Sequence, residues 1–200
     1  MARAARTRTK AEQGEATRAK LVKVARRLFA SKGYGATSIL DITKGARVTR
    51  GALYHHFPDK QALFRAVFEA VEQETLEGIA AVVAAEPRPE ERLKAGLNAF
   101  LDACLDSEYQ RVALLDAPSV LGFDEWQEVD ERYGLGMTRA AIANAVEEGF
   151  IRPVDPEPLS HLVLGALNQA GLAIARARDV GAARRGFGEA LEQWVDGLRA

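Results

Sequence analysis

Cysteine is all but missing from this sequence: Cys104 is the only one in 200 residues. A single thiol excludes an intramolecular disulfide framework and a cysteine-rich zinc site. Histidine is scarce too, with three in the chain. His55 and His56 are neighbours and leave a helix in different directions, so they form no metal site by themselves; His161 stands alone. Ser31, Ser38, Ser107, Ser119 and Ser160 lie in no nucleophile motif, and no glycine-rich phosphate loop is present. No apolar run approaches the roughly 20 residues needed to cross a bilayer. The basic N-terminus is not followed by the apolar segment of a secretory signal. Neither the period-two alternation of strands nor an internal repeat appears. Together these absences predict an all-helical cytoplasmic protein that is not an enzyme and has no metal and no cofactor.

Charge is balanced overall and lopsided along the chain. The net charge is −1, yet residues 1–60 hold 14 Lys+Arg against 4 Asp+Glu, a net of +10, and residues 61–200 hold 13 against 24, a net of −11. A basic first third on an acidic body predicts a polyanion partner for that third alone. Residues 1–15 carry Arg3, Arg6, Arg8 and Lys10 with no apolar periodicity. They read as a disordered arm, either a plain tail or one that follows a minor groove or the phosphates.

The stretch 37–60, TSILDITKGARVTRGALYHHFPDK, shows what the polyanion is. Thr37 is expected to cap a short helix whose Ile39, Ile42 and Ala46 share one apolar face. Arg47-Val48 makes a turn. Thr49 caps the next helix, Arg50 to His56, with Leu53 and Phe57 inward. Its outer face holds Thr49, Arg50, Gly51, Ala52, Tyr54 and His55: no acid, two small residues and several donors. A recognition helix in a DNA major groove wants such a face. Asp59 is expected to cap the following helix. Lys60 in its first turn stands at the positive end of the helix dipole, which suits a nearby phosphate; the alternative is a solvated lysine.

The run TSILDITKGARVTRGALYHHFPDKQAL resembles the DNA-binding signature of the TetR family of transcriptional regulators, with close agreement from about Thr17 to Phe64. The resemblance implies a homodimer with an N-terminal helix-turn-helix and a C-terminal domain for ligand binding and dimerisation. Two positions depart from the pattern: Arg47 stands where the family usually has the turn glycine, and Thr43 where it usually has alanine. A residue with a Cβ in a left-handed turn costs roughly 1 kcal/mol.

About nine helices are expected. Helix 1 spans Thr17 to about Ser31, stopped by Gly33; helix 4 runs from Lys60 to about Ala85 with Leu63, Phe64, Val67, Phe68, Val71, Thr75, Ile79 and Val82 as its apolar set. Glu86-Pro-Arg-Pro-Glu breaks the pattern. Helix 5 covers about Glu90 to Leu105, helix 6 Tyr109 to Ala117, helix 7 Asp124 to Glu148, helix 8 Glu157 to Arg178 and helix 9 Ala182 to Leu198. The domain reading is a basic arm (1–15), a helix-turn-helix domain (16–60) and a helical effector and dimerisation domain (61–200).

Helices 8 and 9 are apolar around much of their circumference, so a second subunit is expected to cover them as a four-helix bundle. Leu162, Ala166, Ala170, Ile174, Phe187, Leu191, Trp194 and Val195 form the expected interface. Phe100, Cys104, Leu114, Leu115, Trp126, Tyr133, Met137, Leu164 and Asn168 either line a cavity for an apolar small molecule or are ordinary core. The resemblance favours the cavity.

The functional expectation is a homodimeric regulator, usually a repressor in this family, bound to pseudo-palindromic double-stranded DNA and released by a small-molecule effector. Thr49, Arg50, Gly51 and Ala52 are expected at base edges, and Thr37, Ser38, Lys44, Arg47, Tyr54, His55 and Lys60 at phosphates. The rivals are an all-helical enzyme with a vestigial DNA-binding domain, against which the missing catalytic constellation counts, and a DNA-binding protein without an effector, which a solid C-terminal core would favour.

Overall fold

The structure, a computed structural model, describes residues 9–200. The described residues form nine helices: α1 (Lys10–Ala36), α2 (Ile39–Ala46), α3 (Arg50–His56), α4 (Lys60–Ala85), α5 (Pro89–Ala103), α6 (107–121), α7 (123–147), α8 (Pro156–Arg176) and α9 (Val180–Asp196). The only strand-like pairing among the described residues is a single antiparallel bridge between Ile151 and Arg199. Contacts divide the chain into two compact units between Val67 and Phe68, within α4.

In the N-terminal unit, α1 starts earlier than its apolar period suggested. Thr9 accepts from the Glu12 N–H while Glu12 accepts from the Thr9 N–H at 2.7 Å, a complete capping box. Residues 10–15 of the expected arm are therefore helical; residues 1–8 lie outside the described residues. Thr17, the expected cap, sits mid-helix with its hydroxyl donating to the Gln13 carbonyl. The helix breaks at Gly33, whose φ of 79° is open to a residue without a Cβ. Phe29, Tyr34 and Phe64 form a three-ring cluster with centroids 5.2–5.7 Å apart. Leu21, Ala25, Ile42, Ala46, Leu53 and Leu63 complete this core, all fully buried. Helix α2 lies so close to α1 that a Cβ on Gly45 would stand 2.7 Å from Val24 Cγ1.

In the C-terminal unit, α8 packs against α5, α6, α7 and α9. It approaches closely at Gly171, where a Cβ would meet Cys104 Sγ at 3.1 Å and Leu114 at 3.3 Å. The capping aspartates fall two and three residues before the expected helix starts: Asp155 accepts from the Glu157 N–H and Asp179 from the Ala182 N–H. Helices α6 and α7 each contain a π-helical stretch, Gln110–Asp116 and Glu131–Leu135. The first lets α6 continue past Pro118, its expected end. A widened turn accommodates a residue that has no N–H and that clashes with a carbonyl four back in a regular helix. Gly122, at φ 85°, ends α6 instead. Helix α7 then begins at Phe123 without a side-chain cap, one residue before its expected start at Asp124. No helix among the described residues is long and apolar enough to cross a membrane.

Candidate functional site

Helices α2 and α3 carry the first candidate site. Ser38, not Thr37, caps α2: its hydroxyl accepts from the Asp41 N–H at 3.1 Å, and Asp41 accepts from the Ser38 N–H. The Ser38 hydroxyl also lies 2.9 Å from the Asp41 carboxylate, and its bond first, with that of the Ser38 N–H second, holds the Asp41 carboxyl below its usual range. Thr37 is 1% exposed and spends its hydroxyl on the Gly33 carbonyl at 2.8 Å, so its side chain has no face to offer a phosphate. The fold turns it inward because the broken end of α1 leaves carbonyls that need a donor.

The turn keeps its left-handed form without glycine. Arg47 has φ 52° and ψ 47°. Its N–H reaches the Lys44 carbonyl and the Val48 N–H reaches the Thr43 carbonyl, each at 3.1 Å. This pair of bonds is the Schellman motif, which satisfies the last carbonyls of α2 and fixes the entry to α3. The Arg47 side chain stays exposed, as does Lys44.

Thr49 caps α3 by accepting from the Ala52 N–H at 3.1 Å. Leu53 is fully buried and Phe57 3% exposed, which rolls the helix so that Thr49, Arg50, Gly51, Tyr54 and His55 are exposed, with Ala52 half-buried between them. Arg50 lies over the Tyr54 ring and donates to its hydroxyl at 3.3 Å, so the guanidinium is already oriented along the outer face. A Cβ on Gly51 would meet nothing nearer than Thr49 Oγ1 at 3.9 Å. Packing inside the protein does not require this glycine. The two histidine rings come closer than adjacency in a helix suggested, 5.2 Å between centroids, and no metal-binding group is found among the described residues.

Lys60 has a different occupation from the phosphate contact expected of it. Its ammonium donates to the Tyr34 carbonyl at 2.9 Å and the Thr37 carbonyl at 3.0 Å, and lies 3.9 Å from the Tyr34 ring centroid. Burial lowers its pKa. The cation neutralises the carbonyl-rich end of α1, which explains a lysine in the first turn of α4 without any external anion.

The second candidate site is a cavity of about 500 Å³ in the C-terminal unit. Of the nine residues expected there, Phe100, Met137 and Leu164 line it. Cys104 and Leu114 instead pack on Gly171 as core, and burial pushes the Cys104 thiol up to about 12, which leaves it inert. Trp126 is buried away from the cavity, Leu115 and Tyr133 are half-buried outside it, and Asn168 stands one step behind, donating to Asp130 at 2.6 Å. The remaining wall comes from α4 through Leu76, Ile79 and Val83 and from α5 through Leu93, Gly96 and Leu97.

Two carboxyls in the wall escaped the sequence reading. Glu72 is 5% exposed, and burial together with the neighbouring Asp130 carboxylate raises it to about 8, against the lowering effect of a hydrogen bond from Tyr109. Burial raises Asp130 to about 6 despite the bond from Asn168. The buried Tyr109 hydroxyl is pushed well above its usual range, again by burial first and Glu72 second. A signal was present: Phe68, Glu72 and Ile79 share one face of α4 at helical spacing, so an acid sits in an apolar stripe. Val82, counted on that stripe, is 48% exposed.

A capped pair of short helices, a left-handed turn and an acid-free, donor-bearing outer face define a helix-turn-helix unit. Residues 21–67 match the family described as bacterial regulatory proteins, tetR family, and residues 90–198 match the tetracyclin repressor-like C-terminal domain. A crystal structure of a TetR-family transcriptional regulator from Pectobacterium atrosepticum is 36% identical, covering 96% of this chain and 98% of its own, with a TM-score of 0.86. The transposon Tn10 TetC protein of Escherichia coli is 28% identical over 77% of this chain and 78% of its own length. The HTH-type transcriptional regulator AcrR of Shigella flexneri is 44% identical over 30% of this chain, and this match spans 28% of AcrR. The chain belongs to the TetR family of transcriptional regulators.

Proposed function

We propose that the protein is a homodimeric repressor that binds a pseudo-palindromic operator through α3 and leaves it when a small, largely apolar effector enters the C-terminal cavity. It acts on chromosomal DNA and therefore in the cytoplasm. The exposed face of α3 carries this reading. Thr49, Arg50, Gly51 and Ala52 are presented toward base edges, with Ser38, Lys44, Arg47, Tyr54 and His55 around them for phosphates. The net of +10 in residues 1–60 supports a strongly salt-dependent affinity.

Dimerisation draws support from one face of α8 and α9. Leu162 is 64% exposed, Trp194 is 37% exposed, and a Cβ on Gly165 or Gly186 would meet nothing within 4 Å. Ala166 and Phe187 border this face. Ala170, Ile174, Leu191 and Val195 were assigned to the same interface, but they are buried within the single chain and form its core. Two subunits joined in this way present two recognition helices, and half-sites spaced by about 34 Å suit such a pair.

Effector control draws support from α4. Leu76, Ile79 and Val83 of this helix line the cavity, and the same helix begins at Lys60, bonded to the end of α1. A ligand shifts such an equilibrium only by its differential affinity for the two states, typically about 1–3 kcal/mol of coupling, and operator must weaken the ligand by the same factor. Genome-wide footprinting of the bound protein, followed by titration of a footprinted operator, tests the DNA part. Discrete two-fold sites with affinity lost on Arg50→Ala are expected; uniform coating without sequence preference overturns it.

A further inference from the structure

The cavity wall is largely apolar; its polar residues are Arg92, Thr138, Asn144 and two buried acids, Glu72 and Asp130. Glu72 comes from α4 and Asp130 from α7, and the Asp130 charge acts on Glu72. The side chains that hydrogen-bond to them are uncharged: the Tyr109 hydroxyl for Glu72 and the Asn168 amide for Asp130. Neither joins an ion pair among the described residues. Arg92, the basic side chain in the lining, is turned to the break between α4 and α5, where its Nε donates to the Glu86 carbonyl at 3.1 Å. Acids without a cation are costly when both are buried, and a buried carboxylate left uncompensated takes up a proton instead. The further charge that acts on Asp130 is Glu131, also an acid. An anionic ligand meets repulsion at these carboxyls. A neutral apolar ligand leaves the carboxyls uncompensated, and a cation relieves them.

We propose that the effector is an apolar molecule bearing one basic amine, whose ammonium is received by Glu72 and Asp130 while its hydrocarbon body fills the space between Leu76, Phe100, Met137 and Leu164. This rests on the cavity being the effector site. Tyr109 and Asn168 act as positioning residues that hold the two acceptors. Binding converts neutral carboxyl groups to carboxylates, so protons leave as the ammonium enters, and affinity rises with pH from about 6 to about 8.5 while the amine keeps its own proton.

The test is calorimetry on the intact protein with three aromatic frames, 2-phenylethyl, 1-naphthylmethyl and 4-biphenylmethyl, each supplied as amine, alcohol and carboxylate. In any frame that binds, the amine is expected to exceed the alcohol by about tenfold or more, the worth of a charged hydrogen bond over a neutral one, and the carboxylate to bind least. Buffers of different ionisation enthalpy should reveal proton release with the amine alone. Glu72→Gln and Asp130→Asn, which keep shape, should each remove the amine's advantage and leave the alcohol's affinity unchanged. Alcohol or carboxylate binding as tightly as amine, or an amine advantage that survives both substitutions, overturns the proposal. Failure of every frame in every form instead overturns the reading of the cavity as an effector site.

Discussion

The two units bury polar groups in opposite ways. In the N-terminal unit the buried side chains with polar atoms are Thr37 and Thr43, and each hydroxyl donates to a nearby carbonyl of its own backbone. In the C-terminal unit they include two carboxylic acids on the wall of a cavity. A threonine bonded to a carbonyl costs little and fixes a turn; a carboxyl without a cation strains the folded state until its charge is removed or met. The first unit is therefore a rigid presenter of an outward face. The second keeps its chemistry inside, where pH or a ligand can change it.

Substituting outside the first unit and inside the second separates these roles. The largest effect is expected from Gly51→Leu. Its Cβ has open space, so the unit should fold with higher helix propensity, yet the side chain occupies the face meant for DNA. Operator affinity should fall by roughly 100-fold or more in a gel-shift titration, from the loss of several base and phosphate contacts. Retained affinity would remove α3 from the interface.

Next in size is the pair Leu162→Glu with Trp194→Glu. Both residues are exposed in the single chain, so the fold should survive while charge repels the partner. Sedimentation should then show well-folded monomers, with operator binding weakened because the two half-sites are no longer linked. A stable dimer would locate the interface elsewhere.

A third comparison sets Glu72→Gln against the parent protein across pH. The folded pKa of Glu72 is raised from 4.5 to about 8, so the native state holds the extra proton between these values. The stability contributed by this group is whole below about pH 4.5 and is lost as pH rises toward 8. The variant cannot lose it, and the gap between variant and parent should widen by a few kcal/mol, at most about 1.4 per pH unit, in urea melts from pH 5 to 8.5. A gap that stays constant would mean that Glu72 is ionised throughout.

The smallest effect is that of Arg47→Gly. Removing a Cβ from a left-handed residue should stabilise the turn by about 1 kcal/mol in the same melts. Operator affinity should drop slightly and its salt slope flatten by about one ion if the arginine also meets a phosphate. A loss of stability would show that the side chain holds the turn.

The contrast also explains what could be read in advance. The face of α3 was legible because cap, turn and apolar spacing all act within a few residues of chain: Thr49, Leu53 and Phe57 are placed as expected, whereas the cap of α2 was placed one residue early, at Thr37 instead of Ser38. Lys60 was misread because its partners, the carbonyls of Tyr34 and Thr37, lie more than 20 residues back and depend on how α1 ends. In the C-terminal unit helix order and most breaks were legible from Gly and Pro, the exception being Pro118, which α6 runs through. The inward positions were not. Ala170, Ile174, Leu191 and Val195 look equally suited to a partner subunit and to their own core, and only tertiary packing assigns them. Glu72 and Asp130 were passed over because acids are ordinarily solvated.

The two widened turns act like single-residue insertions. Each sets the helix beyond it back by roughly 100° of rotation relative to an uninterrupted spiral. Tyr109 and Asp130 stand immediately before these phase slips, and Gly134 and Met137 lie within or just after the second. A wheel drawn straight through α7 therefore groups residues that do not share a side, and of Trp126, Tyr133 and Met137 it is Met137 that lines the cavity. Deleting one residue from 131–135 would restore an even winding and turn the Met137 side of α7 away from the carboxylate that it now accompanies.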